Sequence, residues 1–143
     1  MKLSQLIGDF LSKKGHDVTY FSLPVDKSKS FLRNVFDSFF NRKLEFDIPD
    51  ISQYHTLFLG CPVWAFNIVP AMESFIEKAD FSNKDVFLFI TYGSGAGKHR
   101  AMRRFINLVR GKGGNVKDYF LIKGKDIEKG FEKIKGKLER INT

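Results

Sequence analysis

The 143-residue chain is short of several things, and each shortage narrows what it can be. A single cysteine, Cys61, excludes a disulfide framework and makes the reducing cytoplasm the default compartment. No apolar run approaches the roughly 20 residues that span a bilayer. Residues 1–10 are amphipathic rather than an apolar signal core, and no small-residue cleavage site follows them. The three histidines, His16, His55 and His99, stand apart, with no cysteine or carboxylate cluster beside them, so no metal site is expected. No nucleophile elbow with a Ser/His/Asp order occurs, which removes support for hydrolase chemistry. Acidic residues are the minority, 16 against 24 lysines and arginines, giving a net charge of +8. A basic excess suits nucleic acid, anionic partners or phosphorylated ligands. Here no nucleic-acid motif accompanies it, and the lysines are scattered over helix faces and ends. We read them as a solvated surface and expect neither a nucleic-acid nor a membrane partner.

What is present is a large apolar inventory. Hydrophobic residues make up 43% of the chain and sixteen are phenylalanine, enough for one packed core. Leu3, Leu6, Ile7, Phe10 and Leu11 fall at helical spacing, as do Phe31, Leu32, Val35, Phe36, Phe39 and Phe40 within 27–42. Residues 17–23 alternate like a half-exposed strand, while 55–60 and 86–91 are short, nearly continuous apolar runs of the kind parallel sheets bury on both faces. Further helices are expected over 70–79, 98–110 and 127–141, and another strand over 116–122. Strict alternation of helix and strand predicts a single α/β domain, 1–143. It would be a three-layer sandwich, with a parallel sheet of four strands (17–23, 55–60, 85–91, 116–122) and helices on both faces.

Two of these strands run into unusual loops. After 55–60 comes Cys61-Pro62-Val63-Trp64-Ala65-Phe66, and after 86–91 comes Thr91-Tyr92-Gly93-Ser94-Gly95-Ala96-Gly97, each followed by a helix. Paired loops at the carboxyl ends of neighbouring parallel strands make a crevice for a flat ligand. Trp64 either stacks on such a ligand or caps the core, and Tyr92 either flanks it or packs on the next helix. The glycines let backbone N–H groups approach a ligand closely, although the spacing is that of neither a P-loop nor G-x-G-x-x-G. Cys61 reads as a redox thiol or as a small buried hydrophobe, with the second favoured. Lys98, His99, Arg100, Arg103 and Arg104 form one basic cluster. It is either a solvated helix face or a seat for a phosphate or an acidic partner.

The two loops together, with the Lys13-Lys14-Gly15-His16 turn after the first helix, resemble the flavodoxin family over nearly the whole chain. The likeness is to its small single-domain members. The resemblance implies a flavodoxin-like fold, bound FMN, and an electron-transport or oxidoreductase role with a redox partner protein. It also implies that Pro62, Val63, Trp64, Ala65, Phe66, Thr91, Tyr92, Gly93, Ser94 and Gly95 contact the cofactor, with no catalytic side chain. The match opens at the family's first helix, so the chain as given lacks the family's first strand and phosphate-binding loop. A weakened FMN phosphate site is therefore expected. The alternative is a flavodoxin-like scaffold that has lost FMN and serves as a binding module. The missing strand also leaves one edge of 55–60 open, and either 17–23 pairs directly with it or a second copy of the chain, as a homodimer, covers it.

Overall fold

The computed structural model describes residues 2–23, 48–64 and 66–141. In chain order the elements are α1 (Lys2–Lys13), β1 (Thr56–Trp64), β2 (Asn67–Ile68), α2 (Pro70–Lys78), β3 (Asp85–Tyr92), α3 (Lys98–Gly111), β4 (Asn115–Lys123), a 3-10 turn (Gly124–Asp126) and α4 (Ile127–Leu138). Among the described residues the sheet has four strands in the order β2-β1-β3-β4. β1 and β3 run parallel from Thr56 opposite Asp85 to Pro62 opposite Thr91, and β3 runs parallel to β4. Among the described residues this is an α/β fold with a mostly parallel sheet and four helices.

The apolar runs explain the layering. Along β3, Val86, Leu88 and Ile90 join Leu59 and Cys61 of β1 on one face, under Met72, Phe75 and Ile76 of α2 and Ala101, Met102, Phe105 and Val109 of α3. Phe89 turns to the opposite face with Phe120 and Ile122 of β4, under Leu3, Ile7 and Leu11 of α1 and Phe131, Ile134 and Leu138 of α4. A strand buried on both sides must be apolar along its buried stretch, and β3 is from Val86 to Ile90. Between β3 and β4 the register skips Lys117, because Val86 pairs with Val116 but Phe87 with Asp118. The extra residue is a bulge that keeps Val116 on one face while Phe120 and Ile122 reach the other.

The turns that enter β1 and β3 are each pinned by an aspartate. Ser52 N–H donates to the Asp50 carboxylate at 3.0 Å, and Ser82 N–H donates to Asp80 at 2.9 Å. Those backbone donors hold both carboxyls below their ordinary range. Their support for the turns is present above the ordinary carboxylate pKa and is lost as pH falls through the lowered value. The buried Lys84 ammonium donates to the carbonyl oxygens of Tyr54 at 2.5 Å and Ser52 at 3.4 Å, tying this turn to the start of β3.

Two expectations need correction. Residues 17–23 form no strand. The segment is anchored by side chains instead: Val18 packs beside the α1–α4 cluster, Leu23 beside the other cluster, and Phe21 meets Tyr54 edge-on at 6.0 Å. It does not pair with 55–60, and among the described residues the outer edge of Thr56–Pro62 has no strand beside it. The fourth strand is instead Asn67–Ile68, antiparallel, closing a hairpin on Val63 and Trp64. The helix expected over 27–42 lies outside the described residues. Among those that are described, no helix is long and apolar enough to cross a membrane.

Candidate ligand-binding crevice

β1 and β3 end side by side, and the chain leaves each in a constrained turn. The β1–β2 hairpin places Phe66 at φ 65, a left-handed conformation that a bulky side chain adopts at a cost of about 1–3 kcal/mol, and leaves it 55% exposed. After β3, Gly95 and Gly97 take φ 88 and 76, and Gly97 is the N-cap of α3. The two turns touch. A Cβ on Gly97 would lie 2.3 Å from Phe66 Cδ1 and 2.9 Å from Phe66 Cα, so only glycine lets the hairpin rest on the start of α3.

Between them lies a crevice of about 320 Å³, lined by Val63, Phe66, Tyr92, Gly93, Ser94, Gly95 and Ala96. Lys98 Nζ sits 4.2 Å from the centroid of the Tyr92 ring, a cation–π contact that steadies one wall. Ser94 Oγ accepts the Ala96 N–H at 3.3 Å, which shapes the glycine loop. Strained backbone of this kind clusters at active sites, ligand clamps and switch regions.

Of the residues named from sequence, Val63, Phe66, Tyr92, Gly93, Ser94 and Gly95 come together here. Pro62 and Thr91 form the last register pair of β1 and β3. Trp64 ends β1 opposite Asn67, and Ala65 lies outside the described residues. Ala96 lies in the loop expected to wall the crevice but was not named as a contact, and Gly97 as the seat of Phe66 was missed. Glycine richness marked the loop but could not show which glycine the hairpin presses on.

Cys61 settles as the small buried hydrophobe. It is 2% exposed, and burial pushes its thiol up to about 12, with the Val69 N–H pulling weakly the other way. The folded protein is expected to ignore a disulfide reagent at about pH 8, where an ordinary thiol ionises, and to release one thiol per chain once denatured. Fast labelling of the native protein would show that β1 is not packed as described.

A family model described as Flavodoxin matches residues 13–130, well over half of the chain. The chain belongs to the flavodoxin family. Solved structures agree with that membership. A Bacteroides uniformis ATCC 8492 protein assigned as a flavoprotein superposes with a TM-score of 0.74 at 19% identity, covering 94% of this chain and 88% of its own. Oxidised flavodoxin 1 of Bacillus cereus gives 0.64 at 15%, covering 99% and 90%. A flavoprotein in complex with FMN from Lactobacillus acidophilus NCFM gives 0.55 at 16%, covering 89% of each chain. At such identities the likeness is one of fold. No curated protein matches the chain.

Proposed function

We propose that the crevice holds FMN by its flat ring and that the protein is an electron-transfer flavoprotein whose grip on the phosphate is weak. One observation carries this reading: Phe66 and Tyr92 converge on a glycine loop at the carboxyl ends of two adjacent parallel strands. Open α/β sheets bind ligands there, a rule for which flavodoxin itself is a standing example. Membership of the flavodoxin family and the FMN complex of the Lactobacillus relative support the choice of ligand.

The residues fit the ring better than the whole nucleotide. Phe66 and Tyr92 offer faces for stacking, and Gly93 and Gly95 let backbone groups reach the polar edge of a ring. A crevice of about 320 Å³ lies at the low end of the roughly 300–1,000 Å³ usual for ligand pockets. The only side-chain hydroxyls in its described lining belong to Tyr92 and Ser94, and that of Ser94 already accepts the Ala96 N–H. If about three hydrogen bonds to a charged phosphate are missing, at roughly 1.5–3 kcal/mol each, affinity falls by on the order of a thousandfold or more. Bound FMN would supply one- and two-electron chemistry that no side chain here possesses. The chain's own part is to orient the ring between Phe66 and Tyr92 and to shield it from water.

Titrating the purified protein with FMN while following flavin fluorescence tests this. Quenching with a Kd of roughly micromolar or weaker is expected. Nanomolar binding would contradict the weak phosphate site. No quenching at about millimolar FMN would point instead to a scaffold that acts as a binding module.

A further inference from the structure

We infer that the outward face of α3 is a docking surface for an acidic protein, delivered to the mouth of the crevice. α3 carries four of the chain's seven arginines and no acidic residue. Arg100, Arg103 and Arg110 are exposed and lie with Asn107 on one stripe, opposite the buried Ala101, Met102, Phe105 and Val109. The stripe runs about 15 Å at 1.5 Å per residue. Among the described residues none of these three arginines has an ion-pair partner, whereas Arg104, on the flank, is taken by the buried Glu73 at 2.5 Å.

This arrangement works against the isolated helix. Arg100 and Arg103 are like charges three residues apart, and the first turn of α3 holds cations where the helix dipole favours anions. An anionic partner relieves both. The other described helices mix their signs, with Asp9 on α1, Glu73 and Glu77 on α2, and Glu128 and Glu132 on α4, so among the described helices only α3 is purely basic.

Two features suit a protein partner, and the second favours it over nucleic acid. The stripe is built of arginine, although lysine is the commoner cation in this chain, and arginine and aromatic residues are enriched in protein interfaces while lysine is depleted. Phe66, 55% exposed, lies against Gly97 at the head of the stripe and supplies the apolar anchor such interfaces use. The partner's identity as a redox protein rests on the electron-transfer reading above; the docking itself does not.

The test is an NMR titration of the 15N-labelled chain, without FMN, at low salt. The probes are an acidic plant-type ferredoxin, basic cytochrome c and a short DNA duplex. Ferredoxin is expected to shift the amides of α3 and Phe66. Added salt or the triple variant R100E/R103E/R110E should weaken its binding by about tenfold or more, and R100Q/R103Q/R110Q should weaken it less. Cytochrome c should leave α3 unchanged. Ferredoxin shifts absent from α3, equal binding by the triple variant, or tighter binding of DNA along the same stripe would overturn the inference. Failure to load FMN is read separately by fluorescence, so the two proposals fall independently.

Discussion

Gly97→Val is expected to cost about 3 kcal/mol or more of stability and to abolish flavin binding in the crevice. Position 97 has φ 76, which a β-branched residue adopts only under strain. Its new Cβ would also lie 2.3 Å from Phe66 Cδ1, 2.8 Å from Phe66 Cβ and 2.9 Å from Phe66 Cα. A side-chain tip could swing away, but the Cα cannot. Phe66 is itself held at φ 65 within a hairpin closed by the Trp64–Asn67 pair. The hairpin must therefore lift from α3, taking one wall of the crevice with it. Gly93→Ala is the control, since no heavy atom lies within 4 Å of its added methyl, and its stability should stay within about 0.5 kcal/mol of the parent. Denaturant unfolding reads the stability, and flavin quenching reads the site. Parent-like stability and flavin binding in Gly97→Val would mean that the Phe66–Gly97 contact does not build the crevice.

The second large effect lies in the core. A Cβ at Gly60 would lie 1.9 Å from Phe89 Cε2, and Gly60 faces Phe89 directly in the β1–β3 register. Phe89 is 1% exposed and packs among α1, α4 and β4, so its ring has no vacant place to go. Gly60→Val combines overpacking, about 1–3 kcal/mol, with partial ejection of a phenylalanine worth about 1.5–3 kcal/mol, for a loss near 4 kcal/mol. Because the two side chains compete for one space, G60V and F89A should be non-additive. The double variant is expected to be at least about 1 kcal/mol more stable than the sum of the singles predicts. Simple additivity in chemical unfolding would show that the ring does not rest on Gly60.

How much of this was legible follows from which forces were local. The runs at 55–60 and 86–91 announced buried strands because burial on both faces leaves few polar positions, and the two pair in parallel as β1 and β3. The helices over 70–79, 98–110 and 127–141 were legible from their apolar stripes, and each differs from the observed element by at most a few residues. The strand expected at 17–23 failed for a non-local reason. Val18, Tyr20 and the residues between alternate suitably, but a strand exists only beside another, and no described strand flanks this segment. The Asn67–Ile68 hairpin was hidden in the other direction. Its turn carries Phe66 where glycine or asparagine usually signals a tight hairpin, so tertiary contact overrides propensity. In the crevice, both loops were legible as loops, and Tyr92 to Gly95 as lining. The pressure of Phe66 on Gly97 and the Lys98–Tyr92 contact depend on distances that no spacing rule encodes.

The central claim is that the crevice grips a ring and not a phosphate, and it is tested most directly by comparing FMN with riboflavin in one fluorescence titration. The two ligands differ only in the phosphate. The described lining offers that group little beyond the Tyr92 and Ser94 hydroxyls, so their dissociation constants should agree within about threefold, less than 1 kcal/mol. FMN binding tighter than riboflavin by on the order of a thousandfold would reveal a phosphate cradle and contradict the account.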